Sequence, residues 1–341
     1  IRTIMITGDY PNTARAIAAD INLLQKNHHV LNGNDLNQMS DEKLQTEVMV
    51  TDVFARVSPE HKMRIVNALR KNGEVVAMTG DGVNDAPAIK LADIGVAMGI
   101  TGTDVAKETA DMVLTDDNYA SIVSAVEQGR IIYSNIRKFV YYLISCNMAE
   151  IMIIFLATAF GSLLFPFAEG KILSPLTPIQ LLLLNLVTDG APALALGTEK
   201  GDPDIMDQKP RPPKEPIINR SMISGVVIQT IAITTVTLVA FGLGLRHNIL
   251  YAETMAFITL SASELLRAYT ARSERYPILK IGLFNNKWMN YAVLSSLALL
   301  MAVIYVPFFN TIFNTVPLGW AEWQLILPLL IVPSIAAEIA K

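Results

Sequence analysis

The sequence has few of the residues on which several classes of protein depend. Its 341 residues include one cysteine, Cys146, which excludes a disulfide framework. The four histidines, His28, His29, His61 and His247, show no metal-ligand spacing, and we expect each of them at the surface. Charged residues make up only 17% of the chain and the net charge is −4, so nothing indicates binding to nucleic acid.

Apolar residues are abundant and unevenly placed. They make up 52% of the chain, and long uncharged runs follow a first third in which the charges are concentrated. The length alone predicts two or three domains. The distribution predicts a charged soluble part followed by a part that lies in a membrane.

Residues 1–118 alternate short β-branched runs with helical patterns. The predicted strands are 3–9, 52–55, 74–82, 94–98 and 112–115. The predicted helices are 11–24, 59–71 and 84–93. This alternation predicts an α/β domain with a doubly covered parallel sheet and a ligand site at the carboxyl ends of its strands. A helical stalk over 119–138 is expected to connect this domain to the membrane part.

Two of the predicted strands end in the same tripeptide, Thr7-Gly8-Asp9 and Thr79-Gly80-Asp81. We therefore expect both turns to face one crevice. A turn without any ligand is the simpler alternative for three residues, because glycine and aspartate are common turn formers.

The second tripeptide opens the longer motif "TGDGVNDAP", residues 79–87, in which Asp81 and Asp85 lie either side of Asn84. Carboxylates at such a turn suit Mg²⁺, which binds one or two of them together with phosphate oxygens. Asn84 can donate to a phosphate, and Lys62 can neutralise a phosphoryl group during its transfer. The motif indicates phosphoryl-transfer chemistry.

Six apolar segments follow, each long enough to cross about 30 Å of hydrocarbon as a helix. They are near 139–160, 176–196, 222–245, 249–269, 288–309 and 323–340. Loops 198–220 and 271–287 carry nine Lys and Arg residues, whereas the opposite loops carry two, Lys171 and Arg246. By the positive-inside rule this asymmetry places the soluble domain in the cytoplasm.

Polar side chains occur within three of these segments, where a carboxylate costs about 3 kcal/mol on insertion scales. They are Asn147 and Glu150 in the first segment, Asn185, Thr188 and Asp189 in the second, and Glu264 in the fourth. Their oxygens suit Ca²⁺, although a lone Asn or Thr can equally bridge helices. Pro192 is expected to loosen the helix beside Asp189. Arg267 lies one turn from Glu264 and could neutralise it, which would leave a single Ca²⁺ site.

The segments "MITGD", "VFARVSPEHK" and "MTGDGVNDAPAIKLADIGVAMG" resemble the phosphorylation domain of the P-type ATPases, which has a haloacid-dehalogenase-like fold. The resemblance implies that Thr7, Gly8 and Lys62 contact the phosphoryl group and that Asp81 binds Mg²⁺. It also implies that Asn84 and Asp85 complete the site, beside Asp9. ATP would be the substrate, bound mainly by a domain that this sequence lacks.

The segments "SCNMAEI" and "LNLVTDGAPALALG" resemble the calcium-pump branch of that family. The resemblance implies that Ca²⁺ is bound by the six intramembrane residues named above and that the remaining ligands come from elsewhere. With no ion bound, such carboxylates would take up protons, so we expect proton counter-transport.

The sequence departs from the family at one decisive point, because the Asp-Lys-Thr-Gly motif that carries the phosphorylated aspartate is absent. We therefore expect the chain to be the C-terminal part of a longer pump and inactive alone, with the rest of the polypeptide as its partner. The expected location is the cell membrane, with an internal membrane such as the endoplasmic reticulum as the alternative. Mn²⁺ and Na⁺ are alternative cargoes.

Two other functions stay open at this point. A membrane-anchored phosphatase of the same fold needs a nucleophilic aspartate on an early strand, and leaves the intramembrane carboxylates unexplained. A channel or regulatory subunit derived from a split pump is the non-enzymatic alternative.

Overall fold

The computed structural model describes residues 1–166, 173–212 and 215–341, which form two compact units. The first unit is Ile1–Val126 with a short segment that begins at Lys209, and the second is the rest of the chain from Glu127. Of the loop charges counted above, Lys171 and Lys214 lie outside the described residues.

The first unit is an α/β domain in which every strand pair is parallel. Its described strands are β1 (Met5–Thr7), β2 (His29–Asn32), β3 (Thr51–Ala55), β4 (Ala77–Gly80), β5 (Ile94–Met98) and β6 (Met112–Leu114). They form two three-stranded sheets with the orders β1-β3-β2 and β4-β5-β6. The predicted parallel α/β fold is confirmed, with its strands divided between two sheets.

Side-chain packing, rather than hydrogen bonding, connects these two sheets. Ile6 of β1 packs against a core that contains Phe54 of β3 and also against a core that contains Met78 of β4. β1 and β4 each lie at the edge of their sheet, so each pairs with one neighbour among the described strands. These are the two strands that end in Thr-Gly-Asp.

Short helices connect the strands of the first unit. They are α1 (Pro11–Asp20), α2 (Gly33–Gln38), α3 (Asp41–Glu47), α4 (Pro59–Lys71), α5 (Ala86–Leu91) and α6 (Asp104–Thr109). Proline lies in the first turn of α1, α4 and α5, where its missing N–H has no helical partner to lose. The sequence predicted these three helices but not α2, α3, α6 or strand β2.

Strand β3 contains a buried carboxylate, Asp52, that is fully engaged. The backbone N–H of Gln25 donates to its Oδ2 at 2.9 Å, and Nδ1 of His28 lies 2.8 Å from its Oδ1. Burial alone would raise the pKa of Asp52, but the hydrogen bonds from Gln25 and His28 together lower it. His28, expected as a simple surface residue, is thus a partner of a buried charge.

The second unit is a helical bundle. Its helices are α7 (Ala120–Leu164), which starts in the first unit, α8 (Pro178–Leu183), α9 (Gly190–Leu196), α10 (Arg220–Gly244), α11 (Ile249–Thr270), α12 (Ile278–Ile281), α13 (Lys287–Tyr305), α14 (Pro307–Phe313) and α15 (Trp320–Ile339). A π-helical turn, Leu184–Thr188, joins α8 to α9.

Six candidate membrane spans are found within the described residues, by length and apolar composition. They are α7, the composite helix Pro178–Leu196, α10, α11, α13 and α15. The predicted count of six is confirmed. Helix α7 begins well before the first predicted apolar segment, because it also includes the residues expected to form the stalk.

Helix α11 is the most enclosed of these spans, since 72% of its most apolar stretch of 18 residues is buried. It packs against α10, α13 and α15. The central core of the bundle contains Met255, Phe257 and Leu260 from this helix. Protein rather than lipid therefore surrounds Glu264, which lies in the same helix.

A buried ion pair holds the end of α9 that lies away from the π-helical turn. Nε and Nη2 of Arg272 donate to the two carboxylate oxygens of Glu199 at 2.8 and 3.0 Å. Asn286 donates to the same carboxylate at 2.8 Å and to Ala195 O at 3.1 Å. The resulting network fixes α9 to the start of α13.

Candidate functional site

The start of α4 positions Lys62 in the first unit. Ser58 caps the helix, with its Oγ accepting from the His61 N–H at 3.3 Å, and the Ser58 N–H donates to Nδ1 of His61 at 3.1 Å. Nε2 of His61 lies 2.8 Å from Oδ1 of Asn37. His61 is therefore buried and not at the surface as expected, and burial lowers its pKa. Lys62 extends from this fixed turn.

Lys62 forms an ion pair with the buried carboxylate of Asp85, the residue that precedes α5. The other carboxylate oxygen of Asp85 accepts from the Gly82 N–H at 3.3 Å. Gly80 lies against the same side chain so closely that a Cβ on it would overlap Asp85, with Cγ only 2.7 Å away. Two of the predicted site residues are thus brought together, and the glycine at position 80 has a steric reason.

Asp81 and Asn84 lie in the same turn but are exposed. The carbonyl of Asp81 accepts from the Thr103 N–H at 2.8 Å, which holds the turn against the start of α6. No hydrogen bond to the Asp81 carboxylate is recorded within the described residues. Its oxygens therefore remain available at the carboxyl end of β4.

Thr7, Gly8 and Asp9 form the turn at the carboxyl end of β1. Oγ1 of Thr7 accepts from the Asp9 N–H at 3.1 Å, and a Cβ on Gly8 would meet no heavy atom within 4 Å. The Asp9 carbonyl accepts from the Arg56 N–H at 3.1 Å, beyond the end of β3. In the part of the chain that the structure describes, no hydrogen bond or ion pair connects this turn to the turn after β4. Their meeting in one crevice stays a prediction.

In the second unit, α7 presents a line of side chains at a spacing of four. Tyr142, Cys146 and Glu150 are all buried, since residues four apart lie on the same helix face. Asn147, which we predicted beside Glu150, is exposed. Tyr142 and Cys146 were not predicted as site residues, although their spacing from Glu150 carried the signal.

The helix loosens beside Asp189, as predicted. The Asp189 N–H donates to Leu184 O at 2.9 Å, which is the five-residue step of a π-helix. Pro192 follows and cannot donate to the carbonyl of Thr188, four residues earlier. Asn185, inside this turn, donates from Nδ2 to Oε2 of Glu150 at 2.8 Å. The turn thereby connects the second span to the carboxylate of the first.

Thr188 and Asp189, at the end of the π-helical turn, have different hydrogen-bond partners. Oγ1 of Thr188 donates to Leu184 O at 2.9 Å, so this hydroxyl is occupied within its own helix. Asp189 is 1% exposed, and its Oδ1 accepts from the hydroxyl of Tyr142 at 3.2 Å. Its Oδ2 has no hydrogen-bond partner.

Glu264 completes a group of buried ligand atoms. Its side chain is fully buried in α11, and neither of its oxygens has a hydrogen-bond partner among the described residues. One ligand atom each from Cys146, Asp189 and Glu264 lie within 4.8 Å of one another. A buried carboxylate without a partner is costly, so the arrangement favours a cation as the missing partner.

Arg267 forms no ion pair with Glu264 in the part of the chain that the structure describes. Its Nε donates to Oε1 of Gln229 at 2.9 Å, and its Nη1 lies 3.4 Å from Tyr142 O and 3.8 Å from Sγ of Cys146. No carboxylate lies within ion-pair distance of it among the described residues. The ion pair left open by the sequence is thus not formed, and Glu264 keeps both oxygens free.

Both units of the chain match models of known protein families. The C-terminal profile of the cation transporting ATPases matches residues 173–341. Two profiles of haloacid dehalogenase-like hydrolases match residues 1–93 and 63–126.

Curated relatives are similar along almost the whole chain. A calcium-transporting ATPase of Bacillus subtilis is 47% identical over 98% of this chain and 37% of its own length. Calcium-transporting ATPase 1 of Bacillus cereus is 43% identical over the whole chain and 39% of its own length. The human calcium-transporting ATPase type 2C member 1 is 41% identical over 99% of the chain and 36% of its own length. The chain thus spans somewhat more than a third of the relatives it matches.

Proposed function

The chain belongs to the cation-transporting ATPase family, and we propose that the protein uses ATP to move Ca²⁺ across a membrane. The chain would contribute the last part of the phosphorylation domain and six of the spans. The relatives named above are called calcium-transporting ATPases, and the membrane site offers the oxygen ligands that Ca²⁺ prefers.

The observation that carries this proposal is the set of three buried carboxylates in spans predicted to cross the bilayer. Glu150, Asp189 and Glu264 each have at least one oxygen without a hydrogen-bond partner. An unpaired charge in the bilayer interior costs several kcal/mol. Carboxylates that serve only to stabilise the fold would accept hydrogen bonds at these oxygens. Carboxylates that bind a transported ion keep these oxygens free for it.

The remaining predicted ligands contribute unequally. Asn185 contacts Glu150 and can hold its carboxylate in place, while the Thr188 hydroxyl is engaged within its own helix. Asn147 is exposed, so its oxygen would reach an ion only in company with a helix from the rest of the polypeptide. We propose Glu150, Asp189 and Glu264 as the principal Ca²⁺ ligands and keep the three neutral residues as additional ones.

Lys62, Asp81 and Asp85 support phosphoryl transfer in the first unit. The Asp81 carboxylate is exposed and without a recorded partner, so it fits a magnesium ligand and would hold the ion with Asp85 nearby. Mg²⁺ supplies positive charge to phosphate oxygens when it is bound. Lys62 would bind and orient the phosphoryl group, with Thr7, Gly8 and Asn84 donating hydrogen bonds to it.

We propose that the phosphorylated aspartate belongs to a part of the polypeptide outside this chain. The sequence contains no Asp-Lys-Thr-Gly motif. Among the described strands, β1 and β4, which carry the two Thr-Gly-Asp turns, each have one edge without a partner strand. That carboxylate would attack the terminal phosphorus of ATP, with ADP leaving, to form an aspartyl phosphate.

We propose proton counter-transport, which the burial of the carboxylates supports. A buried carboxylate that has released its cation is neutralised most readily by a proton. The loop charges support a cytoplasmic position for the first unit. Ca²⁺ would then leave the cytoplasm while protons return.

Ion-dependent phosphorylation of the complete polypeptide tests the proposal. We expect phosphoenzyme formation from radiolabelled ATP with Ca²⁺ but not with Mn²⁺ or Na⁺ alone, and ATP-driven Ca²⁺ uptake in proteoliposomes. Asp189→Asn should abolish both. The control Glu253→Gln changes a carboxylate at the edge of α11 that accepts from Asn314 at 2.8 Å, and should retain both.

Three results would contradict the proposal. Phosphorylation that requires Mn²⁺ or Na⁺ instead would change the cargo. Phosphatase activity without ion dependence would indicate that the protein is a phosphatase and not a pump. Ca²⁺ uptake that is independent of pH and moves no protons would show that protons are not the counter-ion.

A further inference from the structure

Cys146 lies in the membrane site although no ligand role was expected of it. Its Sγ and one oxygen each of Asp189 and Glu264 lie within 4.8 Å of one another. The three residues come from α7, the second span and α11, so the cluster depends on the packing of three helices. The cysteine is fully buried.

The two carboxylates of this cluster point to a ligand independently of the thiol. Asp189 is 1% exposed with Oδ2 unpartnered, and Glu264 is 0% exposed with both oxygens unpartnered. A structural cluster of this depth would have satisfied these atoms, because each unmet hydrogen bond costs about 1–3 kcal/mol. A cation bound among these three side chains would supply the partner that these oxygens lack.

The size of the cluster fits one small divalent ion. Zinc binds sulfur at about 2.3 Å and carboxylate oxygen at about 2.0–2.2 Å, so two of its ligand atoms lie about 3.4–3.6 Å apart in tetrahedral geometry. The ligand atoms of the cluster lie within 4.8 Å of one another, so the widest pair would move together by up to about 1 Å when the ion binds. Water can fill a fourth position, as it does in open zinc sites.

The charges of the surrounding side chains also match a divalent ion. Thiophilic cations bind cysteine as the thiolate and displace its proton to water. A thiolate with two carboxylates carries three negative charges, and the Arg267 guanidinium, 3.8 Å from Sγ, offsets one. The cluster therefore keeps a net negative charge, which attracts a divalent cation.

We propose that Cys146, Asp189 and Glu264 form a binding site for thiophilic divalent cations of the Zn²⁺ and Cd²⁺ class. The thiol is the discriminating ligand, because sulfur is a soft donor that these ions prefer and that Ca²⁺ does not use. The site rests on the proposed function in one respect, since it places such ions on the carboxylates that would carry Ca²⁺. A thiophilic ion bound there competes with the transported cation.

The test uses the complete polypeptide in proteoliposomes, with Cd²⁺ as the probe. We expect an ultraviolet charge-transfer band of the Cd–thiolate bond in the parent and its absence in Cys146→Ser. The Cd²⁺ concentration that halves Ca²⁺ uptake should rise at least about tenfold in Cys146→Ser, each protein being compared with its own uptake without Cd²⁺. Serine keeps the size of the side chain and changes only the donor atom.

Glu264→Gln provides a second variant should the serine protein not fold. It retains the thiol and removes one charge, so the band should appear only at higher Cd²⁺ concentrations. A difference spectrum between parent and Cys146→Ser without any band, or equal Cd²⁺ inhibition in both, would overturn the site. A parent that shows the band but no ATP-driven Ca²⁺ uptake would overturn the proposed pump and support the thiol site.

Discussion

The hydroxyl of Tyr142 lies 3.2 Å from Oδ1 of Asp189 and 3.5 Å from the backbone carbonyl of Glu264. One side chain of α7 thus contacts both other helices that supply carboxylates. It can donate only one proton, so it donates either to the carboxylate or to the carbonyl. Tyr142 therefore positions the ligands without needing to bind the ion itself.

Tyr142→Phe should weaken Ca²⁺ binding without abolishing transport. A hydrogen bond to a charged group contributes about 1.5–3 kcal/mol, so the Ca²⁺ concentration for half-maximal uptake should rise about tenfold or more. Uptake by proteoliposomes over a range of Ca²⁺ concentrations measures this shift. The maximal rate should fall much less, and an unchanged half-maximal concentration would contradict the positioning role.

Lys62→Ala should reduce phosphoenzyme formation roughly a hundredfold, because catalytic charges aimed at a transferring group are worth several kcal/mol. The substitution also removes the partner of Asp85. Acid-stable phosphate incorporation from ATP measures the loss. The matched control is Lys71→Ala, an exposed lysine at the other end of α4, which should retain the activity of the parent.

Gly80→Ala should also impair phosphorylation, for a steric reason. The added Cβ would lie 2.7 Å from Cγ and 2.9 Å from Oδ2 of Asp85, so this carboxylate must shift. We expect phosphoenzyme formation to fall at least about tenfold, since small displacements of catalytic groups are costly.

Gly129→Ala is the control for that substitution. A Cβ on Gly129 meets no heavy atom within 4 Å, and the residue lies within α7. Alanine should stabilise such a helix by about 0.5–1 kcal/mol. If the two alanine variants lose phosphorylation equally, the contact between Gly80 and Asp85 is not the cause.

The buried Asp52 predicts an acid dependence of stability in the first unit. Its pKa is lower folded than unfolded, so its contribution is complete above the unfolded value of about 4 and is lost as the pH falls through the folded value. Asp52→Asn should therefore destabilise β3 at pH 7 and destabilise it less at pH 3. Hydrogen exchange of peptides from β3, corrected for the intrinsic rate at each pH, measures the difference. An effect of equal size at both pH values would contradict it.

The spans were predictable from sequence because each is one long apolar run. In lipid such a run forms a helix, since a helix satisfies the backbone N–H and C=O groups within the segment. Strand β2 was not, because its four residues, "HVLN", include two polar side chains and show no periodic pattern. Its position depends on β3, which pairs with it across nearly twenty residues of sequence. The residues of β2 alone do not indicate that they pair with β3.

The membrane site was only partly predictable for a related reason. Spacing placed Asn147 and Glu150 near each other on α7, but packing decides which side of a helix faces inward, and only Glu150 is buried. The loosened turn beside Asp189 was predictable because proline removes a donor wherever it occurs. The partner of Arg267 was not, since Gln229 is 38 residues away in α10.

Helix α11 has the lowest mean hydropathy of the six spans, 1.3, and carries two buried charged residues, Glu264 and Arg267. Each such residue opposes insertion by about 3 kcal/mol, so this segment is a poor membrane helix by itself. Only the short loop 245–248 separates it from α10, the most apolar span. We therefore expect the two helices to insert together as a hairpin, with the more apolar α10 promoting the insertion of α11.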